Sequence, residues 1–178
     1  MSNDEWQTPP ALFDALNADP VYGRFNLDPC CTENNCLCEM GLAVDLGYDG
    51  LKESWSDYSI NGERVRAFMN PPYSRGNIGQ WTAKARREAE AGRVAVAGLI
   101  KADPSTLWWQ RDVMQASVLL FCDRRVRFID PSLGKPTGSP TFASCIAIWD
   151  ARLPEYALDH PVPRMWGWSN TITEGVGP

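Results

Sequence analysis

Histidine is almost absent from this 178-residue chain, and the single one, His160, stands far along it in a stretch without clear periodicity. A serine–histidine–acid set therefore has no credible base. No GxGxxG and no Walker-type phosphate loop occurs, which weakens dehydrogenase and kinase readings. No apolar stretch approaches the roughly 20 residues that span a bilayer. The start of the chain has neither the basic opening nor the apolar run of a secretory signal, so the expectation is a cytoplasmic protein without membrane attachment. An excess of positive charge is missing as well. The net charge of −5 counts against a protein that holds nucleic acid by bulk electrostatics alone.

What is present points to a packed interior. Hydrophobic residues make up 44% and tryptophans number eight; a chain of this size buries roughly 70% of its unfolded surface as one domain. A compact domain is expected over 1–153, with an irregular tail over 154–178 that packs on it or frays. Of six cysteines, Cys30, Cys31, Cys36 and Cys38 cluster, whereas Cys122 and Cys145 lie alone in apolar runs. The cluster lacks the two separated CxxC-like pairs of a zinc ribbon and has no histidine nearby. The expectation is reduced, partly buried thiols and no metal site. Positive charge gathers at Arg124, Arg125 and Arg127, and at Lys84, Arg86, Arg87 and Arg93 on a predicted helix; such runs are usually solvated faces.

The periodicities alternate. Thr8 reads as an N-cap with prolines in the first turn of a helix that buries Leu12, Phe13 and Leu16. A strand follows over 25–28, ended by Pro29. The segment 30–50 has little period, and Asn34 and Asn35 tolerate the left-handed backbone of a tight loop. Residues 65–69 alternate as a short buried strand. A helix is expected over 80–92, with Gly76 and Gly79 ahead of it. A nearly continuous apolar run, 94–100, fits a strand covered on both faces. Further elements are a helix over 105–115 and strands over 117–122, 126–129 and 143–149, with a Gly/Pro-rich loop over 130–140. The class is α/β, mostly a parallel sheet flanked by helices, with antiparallel C-terminal strands.

The chain is organised around Asn70-Pro71-Pro72-Tyr73 at the end of the 65–69 strand. Two prolines stop the strand and stiffen the backbone, so the carbonyls point in fixed directions. A polar amide before this turn and an aromatic ring after it suit a flat polar ring: amide oxygen and backbone carbonyl accept from an exocyclic amine while Tyr73 stacks. Equally, the four residues read as a proline turn that ends a core strand, with Tyr73 as packing. Asp28, Asp49, Asn70 and Lys101 all fall at strand or turn ends, where α/β sheets place ligands. Each acid alone is more often a cap.

Taken together, DEWQTPPALFDALN, FNLDPC, DGL with Trp55, FMNPPYSRGNIGQW, LIKADPSTLWW, RVRFI and SPTFASCIAIW resemble, in order, the small phage-type DNA N6-adenine methyltransferases of the Dam kind. They run over 4–149, about four-fifths of the chain. NPPY alone also occurs in enzymes that methylate cytosine N4 or protein glutamine. The resemblance implies a single-domain Rossmann-like methyltransferase fold that uses S-adenosylmethionine, with double-stranded DNA as partner and a monomer as default. A phage setting implies the host bacterial cytoplasm and protection from restriction.

On these positions the resemblance implies catalytic roles for Asn70, Pro71, Pro72 and Tyr73. Thr8 and Pro9 would lie beside the methionine end of the cofactor. Asp28, Pro29 and Cys30 would form its first motif, Asp49 would accept from its adenine amine, and Asp45 is a candidate for its ribose. The expected glycine-rich turn is replaced by Cys30-Cys31-Thr32-Glu33-Asn34-Asn35. For DNA the candidates are Arg75, Lys101, Trp108 or Trp109, Arg125, Arg127 and, in the loop with Lys135, Ser139. Phe128 is either the second sandwich face for a flipped base or an ordinary core residue. The competing readings are another amine acceptor (cytosine N4, RNA or glutamine), a nucleic-acid-binding domain that has kept the fold without catalysis and, last, a small zinc-binding interaction module.

Overall fold

Two prolines start the first helix in place of a side-chain cap. α1 (Pro10–Asn17) has Pro9 at its N-cap and no side-chain cap bond, and the Pro9 carbonyl accepts from the Leu12 and Phe13 amides. Pro10 has no N–H to satisfy, so the cap expected from Thr8 is not needed and its hydroxyl is released for other work. Leu12, Phe13 and Leu16 are buried as the period predicts. The structure, a computed structural model, describes residues 5–74, 76–138, 140–157 and 161–168.

A seven-stranded sheet forms the centre, and a two-stranded hairpin stands apart from it. In chain order the strands are β1 (Leu27–Asp28), β2 (Met40–Gly41), β3 (Val65–Met69), β4 (Val94–Lys101), β5 (Val118–Cys122), β6 (Ile129–Asp130), β7 (Lys135–Pro136), β8 (Ser144–Trp149) and β9 (Val162–Trp166). The sheet runs β2-β1-β3-β4-β8-β5-β9, and β6 with β7 makes the hairpin. Within the sheet β8 alone runs against its neighbours; every other pairing is parallel. The expected mostly parallel α/β sheet is observed, with the reversed strand inserted between β4 and β5. The apolar runs behind β3, β4 and β8 are buried almost throughout.

Helices α2 (Asn77–Glu90) and α3 (Leu107–Asp112) join β3 to β4 and β4 to β5. α2 starts three residues before the expected 80. Gly79, read as a boundary, lies inside the first turn because a Cβ there would sit 3.2 Å from the Trp108 Cβ. It is a close-approach glycine. Lys84, expected on the wet face, is buried, and its Nζ pairs with Glu88 at 2.6 Å and donates to the Glu53 carbonyl. The expected helix 105–115 is shorter and ends in the 3-10 turn Val113–Gln115.

Two departures lie near the end of the chain. The expected strand 126–129 survives only as β6, which pairs with β7 and bridges to Gln7. Within the tail expected to be irregular, β9 extends the sheet at its edge beside β5. Three of its five residues are exposed and one is Pro163, so it has no apolar alternation to read; proline is tolerated on an edge.

Arg64 and Asp150 close the far end of the sheet with a bidentate pair at 2.5 and 2.8 Å, and both side chains are mostly buried. Asp150→Ala leaves a buried guanidinium unpaired, and urea denaturation should register a loss of about 3–5 kcal/mol. A loss below about 1 kcal/mol would mean the pair is solvated in solution.

Candidate active site

The carboxyl ends of β1 and β3 lie side by side, since Leu27 is in register with Ala67. Asp28 ends the first strand and Asn70 follows the second. The Asn70 amide donates from Nδ2 to the Trp6 carbonyl at 2.9 Å. That partner can only accept, so the amide orientation is decided: NH2 toward Trp6, Oδ1 left as an acceptor. No donor among the described residues reaches this oxygen. Asn70 and Pro72 line a cavity of about 520 Å³, within the range of small-molecule sites.

Asp28 and Thr8 line the same cavity. The Asp28 carboxylate is buried and accepts from the Cys30 amide at 3.2 Å and the Leu37 amide at 3.3 Å. Burial pushes its pKa up to about 6, while those two amides work in the opposite direction. The Thr8 hydroxyl is buried, with no hydrogen-bond partner among the described residues. An orphaned hydroxyl and a costly buried carboxylate facing one cavity fit a ligand with polar, cationic character.

The loop that follows Asp28 closes without glycine, and not by the left-handed asparagines expected. Among the described non-glycine residues only Arg24 and Asn61 have positive φ. Instead Asn35 Oδ1 accepts from the Thr32 amide at 2.6 Å, and the Asn35 amide donates to the Thr32 carbonyl at 3.1 Å. Asp45, the ribose candidate, takes the Glu33 amide at 2.9 Å and so braces this loop.

Tyr73 is not presented to the cavity. Its side chain is buried, its hydroxyl donates to the Leu99 carbonyl at 2.8 Å, and burial pushes the phenol pKa well above its ordinary value. Phe128 and Phe142 pack near-perpendicular to its ring at 5.9 and 5.7 Å. The stacking face expected of Tyr73 is thus already used. Lys101, expected at the DNA, is turned inward instead. Its Nζ donates to the Tyr73 carbonyl at 3.3 Å and lies over the Tyr73 and Phe142 rings at 5.4 and 5.0 Å. Phe128 takes its core alternative, fully buried and stacked on Trp6 at 5.5 Å.

Cys30 lines the cavity, but Pro9 and Pro29 are buried behind it and Pro10 faces it instead. Asp49 lies outside the cavity, and its partly exposed carboxylate pairs with Lys52 at 2.9 Å. Arg125 and Arg127 are exposed, alternating with buried Val126 and Phe128. Trp108 is half-buried against α2 beside a second cavity, and Trp109 is in the core. Arg75 and Ser139 lie outside the described residues, as does His160. The sequence reading missed the Trp6 carbonyl and the Leu37 amide, which as backbone groups have no side-chain signature.

The profile for a family described as DNA N-6-adenine-methyltransferase (Dam) matches residues 1–161. No curated protein and no solved structure matches the chain.

Because the folded-state pKa of Asp28 is raised, the protonated form is the one folding favours. Its contribution to stability is present at about pH 4 and is lost as pH rises through about 6. Measured against Asp28→Asn, the unfolding free energy of the native protein should fall by about 2 kcal/mol from about pH 4 to about pH 7. Parallel pH profiles for the two proteins would place the carboxylate in solvent.

Proposed function

The chain belongs to the DNA N-6-adenine-methyltransferase (Dam) family, and on that premise we propose that it transfers a methyl group from S-adenosylmethionine to the N6 amine of an adenine flipped out of duplex DNA. The observation that carries this reading is the free Asn70 Oδ1 beside Asp28 and the orphaned Thr8 hydroxyl on one cavity. The sheet, with ligand-facing strand ends and one reversed strand near its C-terminal side, supports a Rossmann-like methyltransferase fold.

An adenine N6 lone pair is delocalised into the ring and is a poor nucleophile. Asn70 Oδ1 and the Pro71 carbonyl accept its two hydrogens and favour a tetrahedral nitrogen with a localised pair. The prolines hold both acceptors in place before the base arrives, so little reorganisation accompanies the reaction. Thr8 and Asp28 hold the amino-acid end of the cofactor, the carboxylate pairing with its ammonium. When bound, S-adenosylmethionine supplies a methyl group activated by a sulfonium. Pro72 and Trp6, which line the cavity beside Asn70, give the flipped base an apolar wall. Arg125 and Arg127 reach the phosphates, with Lys135 on the neighbouring hairpin.

Incubating mixed-sequence duplex DNA with labelled cofactor and digesting it to nucleosides tests the acceptor. N6-methyladenine is expected; label confined to cytosine, RNA or protein would overturn the reading. Asn70→Ala should lower the methylation rate by about 100–1000-fold while cofactor affinity by calorimetry is retained. Equal loss of both would remove Asn70 from the chemistry.

Arg125→Ala and Arg127→Ala should weaken DNA binding regardless of sequence. Each should also flatten the log–log salt dependence by about 0.9 for every phosphate that is no longer neutralised. An unchanged slope would move the DNA to another face.

A further inference from the structure

The cysteine-rich loop brings together donors that its spacing does not announce. Cys31 and Cys36 offer their Sγ atoms and Asp28 a carboxylate oxygen, and these three atoms all lie within 4.8 Å of one another. Two of the residues are buried and the third half-buried. This is not the scattered acidic surface on which such groupings arise by chance. The backbone makes room for the sulfurs: a Cβ on Gly41 would collide with both Cys31 Sγ and Cys36 Sγ. β2 therefore passes the loop with a glycine at the point where the thiols converge. All three donors line the cavity, which leaves a further coordination position open to a water or a ligand atom.

We propose that Asp28, Cys31 and Cys36 form a binding site for a thiophilic divalent cation, with zinc the class that this S2O donor set fits. Separations below 4.8 Å suit donors around one ion, given zinc–sulfur bonds of about 2.3 Å and zinc–oxygen bonds of about 2.0–2.2 Å. Binding breaks two S–H bonds and releases both protons to solvent while two metal–sulfur bonds form. No electron is transferred. The thiols give up only weak bonds, from Cys31 Sγ to the Asp28 carbonyl at 3.6 Å and from Cys36 Sγ to the Cys38 carbonyl at 3.4 Å. An ion held there pins the glycine-less loop to the ends of β1 and β2 and shapes the cavity wall. Asp28 is shared with the cofactor site proposed above, so an ion and a cofactor ammonium compete for its carboxylate. The metal readout requires neither DNA nor cofactor, and its failure leaves the methyl-transfer reading standing.

The test is titration of the reduced, chelator-treated full chain with Co2+. Thiolate-to-cobalt charge-transfer absorption and the visible bands of a tetrahedral ion are expected to saturate at about one equivalent and to vanish on adding Zn2+. Cys31→Ser and Cys36→Ser should each weaken binding by more than the roughly 10–100-fold that loss of a supporting partner costs. Cys122→Ser, on β5, should leave it unchanged. Circular dichroism monitors folding. If a serine variant fails to fold, Asp28→Asn keeps both sulfurs and should retain the charge-transfer band at reduced affinity. Absence of the band in the folded native chain would overturn the site. So would its survival in the Cys31→Ser/Cys36→Ser double variant, which would assign it to Cys30 and Cys38.

Discussion

The hydrogen bond from the Asn70 amide to the Trp6 carbonyl is the contact on which the site depends. It joins residues 64 positions apart in sequence, one at the end of a central strand and one in the segment leading to α1. The Trp6 side is immobilised twice, by its ring stacked on Phe128 and Phe142 and by the paired Gln7–Ile129 bonds of 3.0 and 2.9 Å. The net worth of one such bond is about 0.5–1.5 kcal/mol. Its consequence is larger than its energy, because it decides which end of the amide faces the cavity. An asparagine free to flip would present a donor to the cavity, where the proposed amine substrate would need an acceptor.

Asp28 is the costly element of the same site. Removing a carboxylate from water is unfavourable, and the two amides that bond it offset only part of that, as its raised pKa records. A fold that needed only a strand terminus would use a threonine or a valine there. Retaining the acid is consistent with a cationic ligand, whether a cofactor ammonium or a metal ion. The loop beyond it shows how a glycine-rich turn can be dispensed with: Asn35 caps Thr32 through side chain and backbone together, so no residue among 30–38 needs positive φ.

The central strands were legible because β3, β4 and β8 are buried on both faces and must be apolar at nearly every position. β9 was not, since an edge strand with three exposed residues leaves no pattern. The start of α2 was misread because Gly79 answers to Trp108 on another element, and composition alone cannot separate a helix boundary from a close helix contact. Of the site, Thr8, Asp28 and Asn70 could be found as polar residues beside prolines and strand ends. Asp49 fits the same pattern yet pairs with Lys52, so the pattern locates strand and turn ends rather than roles. The Asp28, Cys31 and Cys36 grouping escaped spacing rules because a turn and a neighbouring strand assemble it, where a ribbon would use two hairpin knuckles.

Tyr73 and Lys101 complete the support of the Asn70–Tyr73 turn. The two prolines fix φ through it, but a stiff segment still pivots as a unit unless its far end is held. Tyr73 holds it, by its hydroxyl on Leu99 and by Lys101 on its carbonyl, with the ammonium seated against two rings. Both partners belong to β4, the strand paired with β3 in register from Val65 to Met69. The acceptor at Asn70 is therefore clamped from the N-terminal segment on one side and from β4 on the other. Since this clamp occupies the tyrosine ring, the flat faces left on the cavity near Asn70 are those of Trp6 and Pro72. In the proposed reaction the motif's aromatic residue would hold the turn still and would not touch the base.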